Sequence, residues 1–183
     1  MTPTEQLKTK TTLVAAPSIE AYLFMTGRGE KITPLGVVSE ILSFMQIAPN
    51  CNYKITIGTD SECLNDKRAD FVTAIVIHRV GNGGKYFWRR IVDGKKFFTL
   101  RDRMIREAMI SLEIAHAFLA ETEKIPLPKF DFEIHVDVGE NGATRTMLQE
   151  LTGIIRANNF AVKTKPDSYA ASKVADRHGA KND

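Results

Sequence analysis

The chain has 183 residues, 43% of them hydrophobic, and carries a formal net charge of +3. This length and composition suit one domain with a sizeable core, and the mildly basic balance permits a nucleic-acid partner without indicating one. No apolar run approaches the ~18 residues that a membrane-spanning helix needs, and residues 13–16 are too short an apolar run for a signal sequence. Cys51 and Cys63 flank a predicted strand and lie too far apart to bridge, so we expect reduced thiols in a cytoplasmic protein.

The N-terminal part of the chain carries little pattern. Residues 1–32 are polar, and we expect a loosely structured extension that includes a short helix within residues 14–24. Thr33 followed by Pro34 is typical of a helix start, because the threonine side chain caps free amides and proline suits the first helical position. A domain is therefore expected to begin at residue 33.

Three strands follow this first helix. Residues 53–61, 69–80 and 86–92 are rich in β-branched and aromatic residues, and the first of these runs alternates strictly between apolar and other residues. Residues 81–84, with the sequence GNGG, are a hairpin turn by composition. Consecutive strands joined by short turns form an antiparallel meander, which is the arrangement we expect here.

The second half of the chain alternates helices with strands. Thr99 is a candidate N-cap for the longest predicted helix, and Pro126 and Pro128 interrupt the chain before the next strand. The predicted elements are a helix at 100–122, a strand at 130–138, a helix at 144–158, a strand at 160–164 and a helix at 168–177. Strands reached through helices should run parallel to the first strand, by right-handed crossovers.

The element order predicts an α/β fold. Its mixed five-stranded sheet would have strands 1–3 antiparallel, strands 4 and 5 parallel to strand 1, and helices on both faces. This domain would occupy residues 33–178 and be followed by a polar tail at 179–183.

Two predicted strands each deliver an aspartate at their end. Asp60 and Asp137 both sit on the polar parity of their strands. If these strands are parallel neighbours, both carboxylates project from one face, separated by little more than the ~5 Å spacing between strands. Two carboxylates this close repel each other unless a cation lies between them.

At this point the residues resemble a known family. The order of elements, with acids closing the first and fourth strands, resembles the ribonuclease H fold and, more narrowly, the YkuK group of ribonuclease H-like proteins. The segments that carry the resemblance are IGTDS (57–61), FVTAIVIHR (71–79), EIHVDVG (133–139) and KPDSYAASKVADRH (165–178). It covers roughly residues 33–178 and implies a metal-dependent phosphodiesterase site, in which four acids hold two Mg²⁺ or Mn²⁺ ions.

The resemblance assigns Asp60 and Asp137 to the two strand acids of this site. A helix acid must be chosen between Glu107 and Glu113, which lie six residues apart and cannot both face one site. Glu107 is favoured, because the start of the helix lies near the end of the first strand. The alternative is that Glu107 is a solvated residue on the helix flank.

A fourth acid would come from the last helix. Asp167 follows the fifth strand directly and could open the final helix as its N-cap, which would place it at the same sheet edge as Asp60 and Asp137. Asp176 is nine residues further on, so only one of the two acids can reach the metals. This geometry favours Asp167, and Asp176 remains the alternative ligand.

Other residues suit a nucleic-acid substrate but have ordinary structural explanations as well. His135 and His178 could assist a proton transfer or simply be structural, and two of the aromatic residues 86–88 are expected in the core. Two groups of basic residues could bind a phosphate backbone or be solvated surface: Arg89, Arg90, Lys95, Lys96, Arg101, Arg103 and Arg106, and Lys163, Lys165, Lys173 and Arg177.

The resemblance therefore leads us to expect a divalent-metal-dependent nuclease acting on RNA, DNA or a hybrid. Two alternatives stay open at this stage. One is a nucleic-acid-binding module of the same fold without catalysis. The other is an actin-like nucleotide-binding protein, because residues 137–142 resemble the phosphate-binding loops of actin-like ATPases, although those enzymes close two such domains over their nucleotide.

Overall fold

The structure is a computed structural model, and it describes residues 23–123 and 125–178. Its strands are β1 (Phe24–Thr26), β2 (Lys31–Ile32), β3 (Tyr53–Cys63), β4 (Ala69–Arg79), β5 (Gly84–Asp93), β6 (Phe130–His135) and β7 (Ala161–Lys163). Its α-helices are α1 (Pro34–Gln46), α2 (Leu100–Thr122), α3 (Leu148–Ala157) and α4 (Ala170–His178), with a 3-10 turn at Arg145–Met147 before α3.

All the strands belong to one mixed sheet with the order β2-β1-β5-β4-β3-β6-β7. Strands β3, β4 and β5 form the predicted antiparallel meander, β6 pairs in parallel with β3, and β7 pairs in parallel with β6. The expected α/β fold of the ribonuclease H type is therefore confirmed. The sheet has seven strands rather than five, since β1 and β2 extend it beyond β5.

The two additional strands lie in a stretch expected to be a loose extension. Phe24 is only 2% exposed, and Met25 pairs with Trp88 of β5, so this hairpin covers the outer edge of the meander. Strands of three and two residues are too short to show a period in sequence, and so the alternation rule could not detect them. Residues 1–22, which include most of the short helix expected within 14–24, lie outside the described residues.

The N-termini of the two longer helices are where the sequence predicted them. The Thr33 side chain accepts a hydrogen bond from the Gly36 amide, and Pro34 begins α1. Thr99 accepts one from the Asp102 amide at the start of α2. Each cap satisfies an amide that would otherwise lack a partner inside the helix.

Helices cover both faces of the sheet, as predicted. On one face the Tyr53 hydroxyl of β3 donates to the Met45 carbonyl of α1, and α2 and α3 pack into the same core cluster. On the other face Val174 of α4 packs against Val72 and Ala74 of β4. We call the second side the α4 face.

Five strands end at the same edge of this sheet. β6 and β7 run parallel to β3, and β5 runs in the same direction because two antiparallel pairings relate it to β3. β2 does so too, because two further antiparallel pairings, through β1, relate it to β5. We call this side the carboxyl edge. Ligands of open α/β sheets bind beyond the carboxyl ends of the strands, so a functional site is expected there.

Two expectations about the chain as a whole can be compared with the structure. Cys51 and Cys63 are both free and exposed, at opposite ends of β3. Among the described residues, no helix has the length and apolar character needed to cross a bilayer.

The burial of Phe24 gives a test of whether the hairpin belongs to the folded domain. Phe24→Ala should lower the free energy of unfolding by about 3–5 kcal/mol, the usual cost of truncating a buried phenylalanine. Leu23→Ala is the control, because Leu23 is 43% exposed and should change stability by less than about 0.5 kcal/mol. Urea unfolding measures both values, and equal stability of the two variants would contradict a packed hairpin.

Candidate acidic site at the carboxyl edge

The parallel pairing of β3 and β6 brings the two strand acids together. Gly58 pairs with His135 in the last row of this pairing, and Asp60 and Asp137 each lie two residues beyond that row. Burial raises the pKa of Asp60, and the negative charge of Asp137 raises it further. The two carboxylates are therefore close enough to repel each other, as the shared parity predicted.

One detail of this geometry differs from the expectation. Asp60 does not end its strand, because β3 continues to Cys63 in antiparallel pairing with β4. Asp137 does lie beyond its strand, since β6 ends at His135. β4 pairs with β3 along its whole length, whereas β6 pairs with β3 only as far as Gly58. The two acids therefore lie just beyond the end of the parallel pairing.

Glu107 of α2 is the third acid at this site. It is 1% exposed, and burial raises its pKa to about 8. A hydrogen bond from Ser61 lowers this pKa, whereas the negative charges of Asp60 and Asp137 raise it. Glu113 is exposed and forms an ion pair with Arg106 at 3.0 Å. The structure thus brings Glu107 to the strand acids and leaves Glu113 on the surface.

Two residues that the sequence did not connect with Glu107 hold it in place: Ser61, and Arg103 of the first basic group. The Ser61 hydroxyl donates to Glu107 Oε1 at 2.5 Å. Arg103 donates to the Ser61 hydroxyl at 2.8 Å and to the Ser61 carbonyl, and its guanidinium lies 3.8 Å from Glu107 Oε1. The spacing of four residues between Arg103 and Glu107 was a usable signal, because such pairs face each other on a helix.

The expectation that Asp167 caps the last helix is wrong. α4 begins at Ala170, three residues later, and Asp167 lies in an exposed turn where its amide donates to the Thr164 carbonyl. Asp176 is instead the acid of this segment whose charge acts on Asp60, adding to the effects of burial and of Asp137 on its pKa. Of the two acids, Asp176 on α4 is thus the one whose charge reaches a strand acid, and its own side chain is exposed.

His135 explains why α4 begins where it does. Its Nδ1 accepts hydrogen bonds from the amides of Tyr169 and Ala170, at 3.1 and 3.3 Å. With Nδ1 as acceptor, the ring proton is on Nε2, which donates to Glu133 at 2.9 Å. The ring is 3% exposed, and burial lowers its pKa. The side chain of His135, at the end of β6, is thus a structural cap for the start of α4, a helix that follows much later in the chain.

His178 attaches the other end of α4 to the sheet. Its ring stacks on Trp88 with 4.2 Å between centroids and 11° between planes, and its Nε2 lies 3.2 Å from the Tyr86 hydroxyl. Phe87 points to the opposite face and is part of the core. The three aromatic residues 86–88 are therefore engaged in packing, one in the core and two beneath α4.

Many of the basic side chains expected to face a phosphate backbone pair with acids of the chain. Lys165 Nζ lies 3.0 Å from Asp137 Oδ2, so one acid of the site forms an ion pair with a lysine. Other such pairs are Arg90 with Asp70, Arg101 with Glu150 and Arg106 with Asp93. These pairs neutralise much of the basic charge counted from the sequence.

The acidic side chains fit a divalent cation by their chemistry. Glu107 Oε2 and Asp137 Oδ1 are buried and have no hydrogen-bond partner among the described residues. Carboxylate oxygens are the ligands that Mg²⁺ and Mn²⁺ prefer, and a cation would compensate both unpartnered atoms. Within residues 23–123 and 125–178, however, no group of three or more His, Cys, Asp or Glu side chains is near enough to hold one ion.

The fold is that of the ribonuclease H-like class, and comparison with known proteins agrees. The model of the family described as Ribonuclease H-like matches residues 36–180. The chain is also 30% identical over 168 residues to "Uncharacterized protein YkuK" of Bacillus subtilis (strain 168), which spans 86% of this chain and 97% of that protein. No solved structure matches it. The chain belongs to the ribonuclease H-like family and, within it, to the YkuK group.

The raised pKa of Glu107 has a consequence for stability. Because the folded protein holds this proton more tightly than the unfolded chain, the stability that Glu107 contributes is fully present below about pH 4.5 and is lost as the pH rises through about 8. Without divalent ions, the free energy of unfolding should fall by a few kcal/mol over this interval, since each pKa unit is worth about 1.4 kcal/mol.

Urea unfolding in EDTA at several pH values measures this dependence. Glu107→Gln should remove the part of the slope that belongs to Glu107, whereas Glu113→Gln, at an exposed position of the same helix, should keep the wild-type slope. A Glu107→Gln profile parallel to that of the wild type would show that Glu107 ionises normally.

Proposed function

We propose that this protein is a divalent-metal-dependent nuclease that hydrolyses phosphodiester bonds of RNA, DNA or a hybrid. The observation that supports the proposal is the meeting of three acids, Asp60, Glu107 and Asp137, at the carboxyl edge of the sheet. Ionised carboxylates in such proximity repel each other and lower the stability of the fold. A cation-binding site gives a physical reason why they are placed together.

The proposed ligands of Mg²⁺ or Mn²⁺ are these three acids together with Asp176. When bound, two such ions would lower the pKa of the attacking water and stabilise the leaving oxygen. The chain's own residues orient this set: Ser61 and Arg103 hold Glu107 against β3. Lys165 adds a positive charge beside Asp137, where a substrate phosphate would approach.

In this proposal the fourth ligand is Asp176 rather than Asp167, the residue that the sequence pattern favoured. It is carried by α4, whose two ends are attached to the sheet by His135 and by the stacking of His178 on Trp88. A carboxylate on a helix fixed at both ends can be held in position for a metal, whereas Asp167 lies in a turn before that helix; both side chains are exposed.

A second candidate is a nucleic-acid-binding module without catalysis. The observation in its favour is that Lys165 and Arg103 already occupy positions beside two of the acids, and that the described residues form no complete coordination group. In that case the same edge would bind phosphates, and no divalent ion would be required.

Cleavage assays with Mg²⁺ and with Mn²⁺ on single-stranded, double-stranded and hybrid substrates distinguish these candidates. Asp60→Asn and Asp137→Asn should each lower metal-dependent cleavage at least about 100-fold, because even residues that only support a metal ligand are worth 10–100-fold. Asp131→Asn is the matched control, since Asp131 is an exposed residue of β6 and should leave activity unchanged.

Retained activity in both strand variants would contradict the assigned site. Binding without cleavage by the wild-type protein would favour the second candidate.

The fourth ligand can be tested separately, by measuring cleavage at limiting Mn²⁺. Asp176→Asn should lower the rate by about tenfold or more, and higher Mn²⁺ should partly restore it, because a lost ligand weakens the affinity for metal. Asp167→Asn should behave as the wild type. The opposite order of the two variants would return the fourth ligand to the turn before α4.

A further inference from the structure

We propose that Phe98 and the lysines 67, 95 and 96 form a binding site for a nucleic-acid strand with unpaired bases. Phe98 would stack on a base, and the lysines would contact phosphates on either side of it. The inference rests on the proposed function and names its substrate class. We call the segment of residues 94–99 the Phe98 loop.

Phe98 is held in a fixed and exposed position. Its side chain is 78% exposed, although both neighbouring residues are anchored. Phe97 is buried against Phe71, with 5.6 Å between ring centroids, and its amide donates to the Lys67 carbonyl at 2.7 Å. On the other side Thr99 caps α2. Presenting an aromatic ring on an ordered backbone lowers the entropy cost of binding.

The Phe98 loop lies at the same edge of the sheet as the acids. It follows β5, whose last residue Asp93 pairs with Ala69, and Ala69 pairs with Cys63 at the end of β3. The loop leads into α2, whose first turns carry Arg103 to Ser61 beside the acidic site. A strand bound at the loop would therefore follow the carboxyl edge towards Asp60.

The charge of this segment is available to a ligand. Lys67, Lys95 and Lys96 are exposed, and their ammonium groups form no salt bridge with any described residue. Nearby arginines differ in this respect, since Arg68 and Arg106 pair with Asp66 and Asp93. Lysines that form no salt bridge with a described residue, around an exposed aromatic ring, suit a polyanion that carries flat apolar groups.

The stacking surface selects among nucleic acids. In a duplex the faces of the bases are covered by their neighbours, so a single aromatic ring can stack only on a base that is unpaired or at an end. Lysines bind phosphates without reading sequence. A strand with unpaired bases, of DNA or RNA, therefore fits this site better than a continuous duplex does.

Binding can be measured independently of cleavage by fluorescence anisotropy in the Asp60→Asn background, with labelled single strands and duplexes. Phe98→Ala should weaken single-strand binding about 5- to 150-fold, the range reported per stacked base, and change duplex binding much less. Phe98→Trp should retain affinity and Phe98→Leu should not, because stacking needs an aromatic face. Ile47→Ala is the matched control, since Ile47 is 76% exposed at the opposite end of the sheet.

Changing Lys95 and Lys96 together to glutamine should reduce the dependence of log K on log salt by about 1.4, or ~0.7 for each phosphate contact with a single strand. Lys129→Gln, an exposed lysine at the start of β6, should not change it.

Equal losses for single strands and duplexes in Phe98→Ala, full affinity in Phe98→Leu, or no effect of Phe98→Ala would each overturn the inference. Failure of the proposed function alone would appear differently: the Phe98 effects would persist while the wild-type protein cleaved nothing.

Discussion

The parallel pairing of β3 with β6 is the constraint on which the site depends. Its register pairs Gly58 with His135, and Asp60 and Asp137 each lie two residues beyond that pair. Neighbouring strands lie ~4.8 Å apart, and successive side chains point to opposite faces. A slip of one residue would therefore turn one carboxylate to the other face and separate the acids. The hydrophobic core beneath both strands, which includes Ile57 and Ile134, specifies the register.

The structure surrounding the acids compensates for an arrangement that is unfavourable by itself. Glu107 is buried with a raised pKa, yet it is held by Ser61 and Arg103. Further along α2, the hydroxyl of Ser111 donates to the hydroxyl of Thr59, so the polar contact between α2 and β3 continues into the core. On the α4 face the helix is attached at both ends. Binding sites commonly combine destabilising charges with a rigid scaffold, and this edge of the sheet follows that pattern.

Much of this arrangement could be predicted from local sequence patterns. The strict alternation of β3, the caps Thr33 and Thr99, and the parity of the two strand acids all gave correct structural predictions. The short hairpin before α1 was missed because five strand residues carry no recognisable period. The start of α4 was missed for a different reason. It depends on His135, 35 residues earlier than Ala170, and no local rule for helix caps includes such a distant acceptor. The preference for Asp167 over Asp176 as a ligand rested on the incorrect N-cap.

The most direct test of the central claim is the stability of the protein as a function of Mn²⁺. At a pH near 8, where Glu107 ionises, a bound cation should raise the free energy of unfolding, by about 2.7 kcal/mol when free Mn²⁺ reaches 100 times its Kd. The account predicts such a rise for the wild-type protein and none for the double variant Asp60→Asn/Asp137→Asn. A wild-type protein that Mn²⁺ does not stabilise, or a double variant that it stabilises equally, would contradict a metal site between β3 and β6.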